Sequence, residues 1–323
     1  MFKFSLYFNL FILMLLLTTR ETLSLSHLNG LKILEKEGAK VSALFVSLSD
    51  GKVIASQNAD QMVTPASISK LVIAGQSLDT WGPDKSFVTK IYSRGSLNEN
   101  GTLKGHLVFY GGGDPYIVNE KLWFLTTDVQ RYGIKKIEGN LIVNNSFFGP
   151  MIRDESRKSA KFSSANAYDS PLSSAAVNFS VLAVVVYPSQ TQGKEANITI
   201  EPFEIASVKI INKVKTVSPK ETTQIFVTRK TIEGKDVFTV TGKIPQGAMP
   251  ERIYRSISDP EIYAGEVVMA FLRASGIEIT GQVIVENVPP PTTDNLVSQI
   301  EGYPLEWQLR GLNNMSNNFI ADM

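Results

Sequence analysis

Ser67 and Lys70 stand three residues apart in the run Pro65-Ala66-Ser67-Ile68-Ser69-Lys70, directly ahead of the apolar stretch Leu71-Val72-Ile73-Ala74. On a helix, that spacing puts two side chains one turn apart on the same face, so an amine at one position can reach a hydroxyl at the other. A neutral amine can take the hydroxyl proton, and the pair then forms a self-contained nucleophile and base suited to acyl transfer through a serine. A second candidate group, Ser316-Asn317-Asn318, begins 249 residues after Ser67. There a hydroxyl and an amide two positions apart on a loop can relay a proton and hold a substrate carbonyl. Each motif also has a plain structural reading. Ser67 and Lys70 can be an ordinary helix start with a solvated lysine, and Ser316 to Asn318 a helix N-cap cluster. Ser49-Asp50-Gly51-Lys52 repeats the first spacing within a turn, and Ser96-Leu97-Asn98 and Ser164-Ala165-Asn166 repeat the second.

Composition removes several rival chemistries. The 323 residues contain no cysteine, which excludes thiol catalysis, zinc-thiolate sites, disulfides and lipid attachment at cysteine. The two histidines, His27 and His106, give a Ser/His/Asp triad little material, since the first lies at the expected mature N-terminus and the second in the strand-like run Leu103 to Tyr110. Basic and acidic side chains number 32 and 31, so net charge gives no reason to expect nucleic acid as a partner. Gly111-Gly112-Gly113-Asp114-Pro115 resembles a phosphate loop, but no lysine follows at the required offset and Pro115 opposes a helix there; it reads as a turn.

The elements that must position Ser67 come next. Residues 1–26 read as an export signal: Lys3, an apolar run from Leu6 to Leu17, then small residues at Thr22 and Ser24. That run is shorter than the roughly 20 residues a membrane span requires, and no later segment approaches this length. Residues 27–88 give a short helix, two strand-like runs (Val41 to Ser47 and Lys52 to Gln57) joined at Asp50-Gly51, and the Ser67 helix. Leu71, Val72, Ile73, Ala74, Leu78 and Trp81 make that helix apolar nearly all round, which predicts enclosure in a core. Residues 89–290 read as strand-rich, with one late helix from Tyr263 to Ser275. Pro289-Pro290-Pro291 marks a linker, and 291–323 resumes with a helix from Pro304 to Leu312. The fold class is therefore α+β: a first catalytic segment, a β-rich insertion, and a resumed catalytic segment carrying the second motif.

In these features the chain resembles the D-alanyl-D-alanine carboxypeptidase/endopeptidase family of low-molecular-mass, class C penicillin-binding proteins, over nearly all of residues 30–323. The resemblance rests on Pro65-Ala66-Ser67 with Lys70-Leu71, Gly111 to Pro115, and Gly133-Ile134 with Ile137 and Gly139. It continues through Tyr168, Pro171, Asn178, Gly242, Pro245, Asp259-Pro260, Gly276-Ile277 and Gly281, and closes on Ser316 to Asn318 with Phe319-Ile320-Ala321. It implies a serine transpeptidase domain of the penicillin-binding-protein and β-lactamase type, interrupted by inserted domains. It further implies Ser67 as nucleophile, Lys70 as general base, Ser316 as proton relay, and Asn318 as the group that orients the substrate amide. The implied partners are peptidoglycan stem peptides ending in D-Ala-D-Ala and, as covalent inhibitors, β-lactams. No metal or organic cofactor is implied, and the implied location is periplasmic or cell-envelope. The family's third motif, Lys-Thr-Gly, has no counterpart here, because Thr241-Gly242-Lys243 has the wrong order. The expectation is accordingly a chain truncated at its C-terminus, its catalytic domain incomplete. The rival reading is a catalytically impaired homologue that binds peptidoglycan or a partner protein.

Overall fold

The computed structural model describes residues 29–149 and 165–323; the expected export signal, His27 and Ser164 lie outside the described residues. The chain forms two compact units, Met1–Ser69 and Lys70–Met323.

In the first unit a helix over 29–36 is followed by an antiparallel hairpin of β1 (Ala43–Val46) and β2 (Val53–Gln57), as the alternating runs around Asp50-Gly51 predict. Glu35 ties the two together by accepting from the side-chain amides of Gln57 and Asn58. Among the described residues of this unit, Val41 is the one buried apolar side chain, while Leu44, Phe45, Val46, Val53 and Ile54 are exposed. A two-stranded ribbon buries little without a covering layer.

The second unit is built on a seven-stranded sheet. Its path runs from β13 (Glu278–Ile279) through β5 (Lys136–Ile137), β4 (Thr102–Tyr110) and β3 (Val88–Leu97) to β15 (Asn295–Glu301). Here β6 (Leu141–Asn144) pairs with β4, and β14 (Val283–Glu286) with β6. Alternation along β3 makes the layering plain: Thr89, Ile91 and Ser93 are buried, whereas Lys90, Tyr92 and Arg94 are half-buried on the opposite face. Helices Asn119–Arg131 and Pro260–Ala274 pack on strands of this sheet and on each other.

The Asn119–Arg131 helix corrects the strand-rich reading of 89–290. Leu122, Leu125, Thr126 and Val129 fall at helical spacing and are all buried, a periodicity that the exposed Trp123 and Phe124 between them mask. The strand Asn295–Glu301, which follows the three prolines, pairs antiparallel with β3, so the sheet holds residues on both sides of the expected linker. Two three-stranded sheets supply the rest of the β structure: in one, Val181–Tyr187 is the central, buried strand between Glu251–Ser256 and Asn197–Glu201, and in the other Lys235–Pro245 lies between Gln224–Ile232 and Val208–Val217.

Gly112 explains why the glycine run is not a phosphate loop. A Cβ on Gly112 would meet the Val88 carbonyl oxygen at 1.9 Å, so this turn lies directly against neighbouring backbone. Asp114, at its end, is buried, accepting from the Tyr116 N–H at 2.9 Å and from Lys121 at 2.7 Å.

Candidate active site

Ser67 lies in a 3-10 turn, Ala66–Ile68, immediately before the helix Ser69–Trp81. Ala66 is held at φ 46°, a left-handed conformation uncommon outside glycine, and Ser69 Oγ donates to the Ala66 carbonyl at 2.8 Å. A turn of this kind sets the backbone at the candidate nucleophile by local geometry.

The helix that follows departs from its expected enclosure. Only Lys70 and Ala74 are buried; Leu71, Val72, Ile73, Leu78 and Trp81 are exposed. One narrow face finds a partner, Ala74 packing with Leu305, Leu309 and Leu312 of the helix Leu305–Met315, and with Ile320 and Ala321 beside them. Apolar character all round the helix therefore overstates its burial, because a single partner helix covers only one stripe.

Lys70 contradicts the solvated-lysine reading, being 7% exposed. Its Nζ donates to Ser316 Oγ at 3.2 Å and to Asn318 Oδ1 at 2.7 Å, across 246 and 248 positions of sequence. The structure thus brings three of the four expected site residues together.

The second motif is a junction between two helices. Ser316 caps the helix Leu305–Met315 in the left-handed region (φ 51°, ψ 38°), its N–H bonding to the Leu312 carbonyl. Asn317 caps the next helix, Asn318–Asp322, by accepting from Ile320 N–H at 3.1 Å. The N-cap reading thus holds for Asn317, and the change of direction it enforces leaves the side chains on either side of it for Lys70.

Tyr168 belongs to the resemblance in sequence, which assigns it no part in orienting Asn318. Its Nδ2 donates to the Tyr168 carbonyl at 3.0 Å, which leaves Oδ1 for Lys70; Asn166 Nδ2 in turn donates to the Tyr168 hydroxyl at 2.9 Å. Both residues belong to the inserted region. A backbone acceptor has no side-chain signature, so no motif could have marked it.

An aromatic cluster braces the junction. Tyr116 packs edge-on against Phe179, Tyr303 and Trp307, and Phe179 against Phe319, which follows Asn318. Burial first, then Asp114 and Tyr303, push the Tyr116 phenol above its ordinary range. A Cβ on Gly311 would lie 2.1 Å from that hydroxyl, so the ring sits on bare helix backbone.

The other candidates are spent on structure. His106 Nδ1 accepts from Asn140 N–H at 3.0 Å, and Lys52 pairs with Asp50 at 3.0 Å. Asn98 Oδ1 closes a turn by accepting from the N–H groups of Asn100 and Thr102. Lys243, beside Gly242, pairs with Glu221 at 2.8 Å. Among the described residues no group of three or more His, Asp or Glu could hold a metal ion, and no helix is long and apolar enough to cross a membrane.

The fold is that of a penicillin-binding protein. Over 90% of this chain and 63% of the other, it matches the crystal structure of penicillin binding protein 4 (dacB) from Haemophilus influenzae, with a TM-score of 0.69 at 22% identity. The same protein complexed with a novel β-lactam matches at a TM-score of 0.64 and 21% identity, over 90% of this chain and 61% of that one. The chain belongs to the D-Ala-D-Ala carboxypeptidase 3 (S13) family, whose model matches residues 31–323. It is 24% identical over 266 residues to the D-alanyl-D-alanine carboxypeptidase of Actinomadura sp. (strain R39), covering 80% of this chain and 48% of that protein. To the D-alanyl-D-alanine carboxypeptidase DacB of Haemophilus influenzae it is 23% identical over 288 residues, covering 88% of this chain and 58% of that protein. The chain therefore spans about half the length of these curated relatives.

Proposed function

We propose that the protein is an exported serine-type D-Ala-D-Ala carboxypeptidase, with endopeptidase action on D-amino cross-links as a second outlet of the same chemistry. The observation that carries the proposal is the buried Lys70 amine, which follows Ser67 by three residues and is bonded to both Ser316 Oγ and Asn318 Oδ1.

Hydrogen-bond stoichiometry supports the assignment of roles. A neutral amine has two N–H donors and one lone pair. Ser316 and Asn318 accept from the amine, and in the proposed reaction its lone pair takes the Ser67 hydroxyl proton. Ser67 Oγ then bonds to the carbonyl carbon of the penultimate D-Ala and gives its proton to Lys70. The tetrahedral centre collapses, the C–N bond breaks, and the leaving amine of the terminal D-Ala collects a proton from Lys70 through the Ser316 hydroxyl. Water, activated in the same way, releases the acyl group and regenerates Ser67. Asn318, its amide fixed by Tyr168, holds the substrate amide. β-Lactams enter the first half of this sequence because their strained amide presents the same carbonyl, and they remain as an acyl adduct.

The decisive comparison is a diacyl peptide ending in D-Ala-D-Ala against a short activated ester, with release of D-Ala measured directly. Turnover of the peptide that disappears in Ser67→Ala supports the proposal. Turnover of the ester alone would make the protein a general serine esterase on this scaffold.

A further inference from the structure

The half-buried face of the seven-stranded sheet carries an open cavity of about 580 Å³, within the size range of small-ligand sites. We infer that this cavity binds a sugar ring bearing a carboxylate. Its floor comes from β3 and β4, where Lys90 and Tyr110 are direct cross-strand partners and Tyr92 lies two residues along. Phe147 and the three prolines Pro289 to Pro291 form its walls. Of the residues assigned to catalysis, none lines it.

Each part of the lining has a chemical counterpart in such a ligand. Tyr92 and Tyr110 meet edge-to-face at 6.4 Å and, with Phe147, offer aromatic surface suited to the C–H faces of a pyranose. The two phenol hydroxyls have no hydrogen-bond partner among the described residues and can exchange bonds with ring hydroxyls. The two charged groups lining the cavity differ in how they are engaged. Asp294, which also lines it, is used up by Arg94, whose Nε reaches both carboxylate oxygens at 3.1 and 3.0 Å. Arg94 also holds Glu286. Lys90 has no ion-pair partner among the described residues, whereas Asp294 is engaged by Arg94, so the Lys90 ammonium is the charged group in the lining left to meet an anionic substituent. Three prolines give the rim little conformational freedom to lose on binding.

The inference stands on the cavity's own chemistry; only the choice of probe rests on the proposed function, since N-acetylmuramic acid is a building unit of peptidoglycan. It differs from N-acetylglucosamine by a lactyl carboxylate, so the pair isolates the role of charge. Ligand-observed NMR titration of the full chain should show N-acetylmuramic acid binding more tightly. Lys90→Gln should weaken it about tenfold and abolish the preference, the loss expected for one charge-assisted hydrogen bond. Tyr110→Ala should weaken both sugars alike, and Tyr92→Phe, which keeps the ring, guards against a variant that merely unfolds. Absence of binding by either sugar to a folded sample overturns the inference, as does binding that Lys90→Gln and Tyr110→Ala leave unchanged. Benzylpenicillin adduct formation on the same sample reads the proposed function separately. An adduct without sugar binding sinks only the cavity, and sugar binding without an adduct sinks only the catalytic reading.

Discussion

Four side chains decide the candidate site, and the sequence made their types and spacing plain but not their conformation. Ser67 and Lys70 were legible because a fixed three-residue offset has one geometric meaning on a helix. Ser316 and Asn318 were legible as a hydroxyl and an amide two apart, yet nothing in the sequence said that Ser316 would sit in the left-handed region with Asn317 turning the chain between them. That conformation allows a clean test. Glycine adopts it freely, whereas alanine pays the same backbone cost as serine. Ser316→Gly should therefore be more stable to urea than Ser316→Ala by about 1 kcal/mol. Both should slow acylation to a similar degree, because both lack the hydroxyl bonded to Lys70. Equal stabilities would contradict the left-handed cost at this position, and acylation rates that differ between the two variants would show that the serine acts through conformation as well as through its hydroxyl.

At the level of elements, a continuous apolar run buried on both faces was the plainest signal, and helices that bury a single face were the hardest to read. Val181–Tyr187 was legible as a continuous apolar run because it is the central strand of its sheet. The helix Asn119–Arg131 was missed, since the exposed aromatics Trp123 and Phe124 interrupt its buried positions, which also include a threonine, Thr126, that bonds its own helix backbone at Leu122. The helix Ser69–Trp81 was over-read, its apolar residues outnumbering the one stripe that its partner helix covers. That partner helix, Leu305–Met315, sets Ser316 and Asn318 in place and is itself seated on Tyr116 through Gly311. Gly311→Ala should destabilise the protein by about 1–3 kcal/mol through overpacking, despite alanine's better helix propensity. Tyr116→Phe in the same chain removes the clashing hydroxyl and should recover much of that loss. A double-mutant cycle measured by thermal melting checks this, and additive effects would mean that the two residues do not meet.

For the molecule as a whole, the resemblance in sequence and the match in fold agree, while long-range pairings lay beyond sequence reasoning. Arg94 is the clearest case. It bonds Glu286 and Asp294, 192 and 200 positions away, and so fastens β3 to β14 and to the segment that leads into β15. Nothing local to any of these residues marks the others. Hydrogen bonding to Arg94, and secondarily its charge, holds the Glu286 carboxyl below its ordinary value, against the opposing effect of burial. A depressed carboxyl contributes stability that is fully present above its unfolded value, about 4.3, and is lost as the pH falls through the lower folded value. Acidification below about pH 4.3 should therefore erode the stability of the wild type more steeply than that of Glu286→Gln, as followed by circular dichroism of urea unfolding. Superimposable acid profiles would show that the contact carries no linkage.

The central claim is that Ser67 is a nucleophile activated by Lys70, and intact-mass spectrometry after incubation with benzylpenicillin tests it most directly. The account predicts one covalent adduct, mapped to Ser67, in the wild type, and none in Ser67→Ala or Lys70→Ala, with both variants folded. A folded wild type that stays unmodified, or an adduct that survives Ser67→Ala, would contradict it.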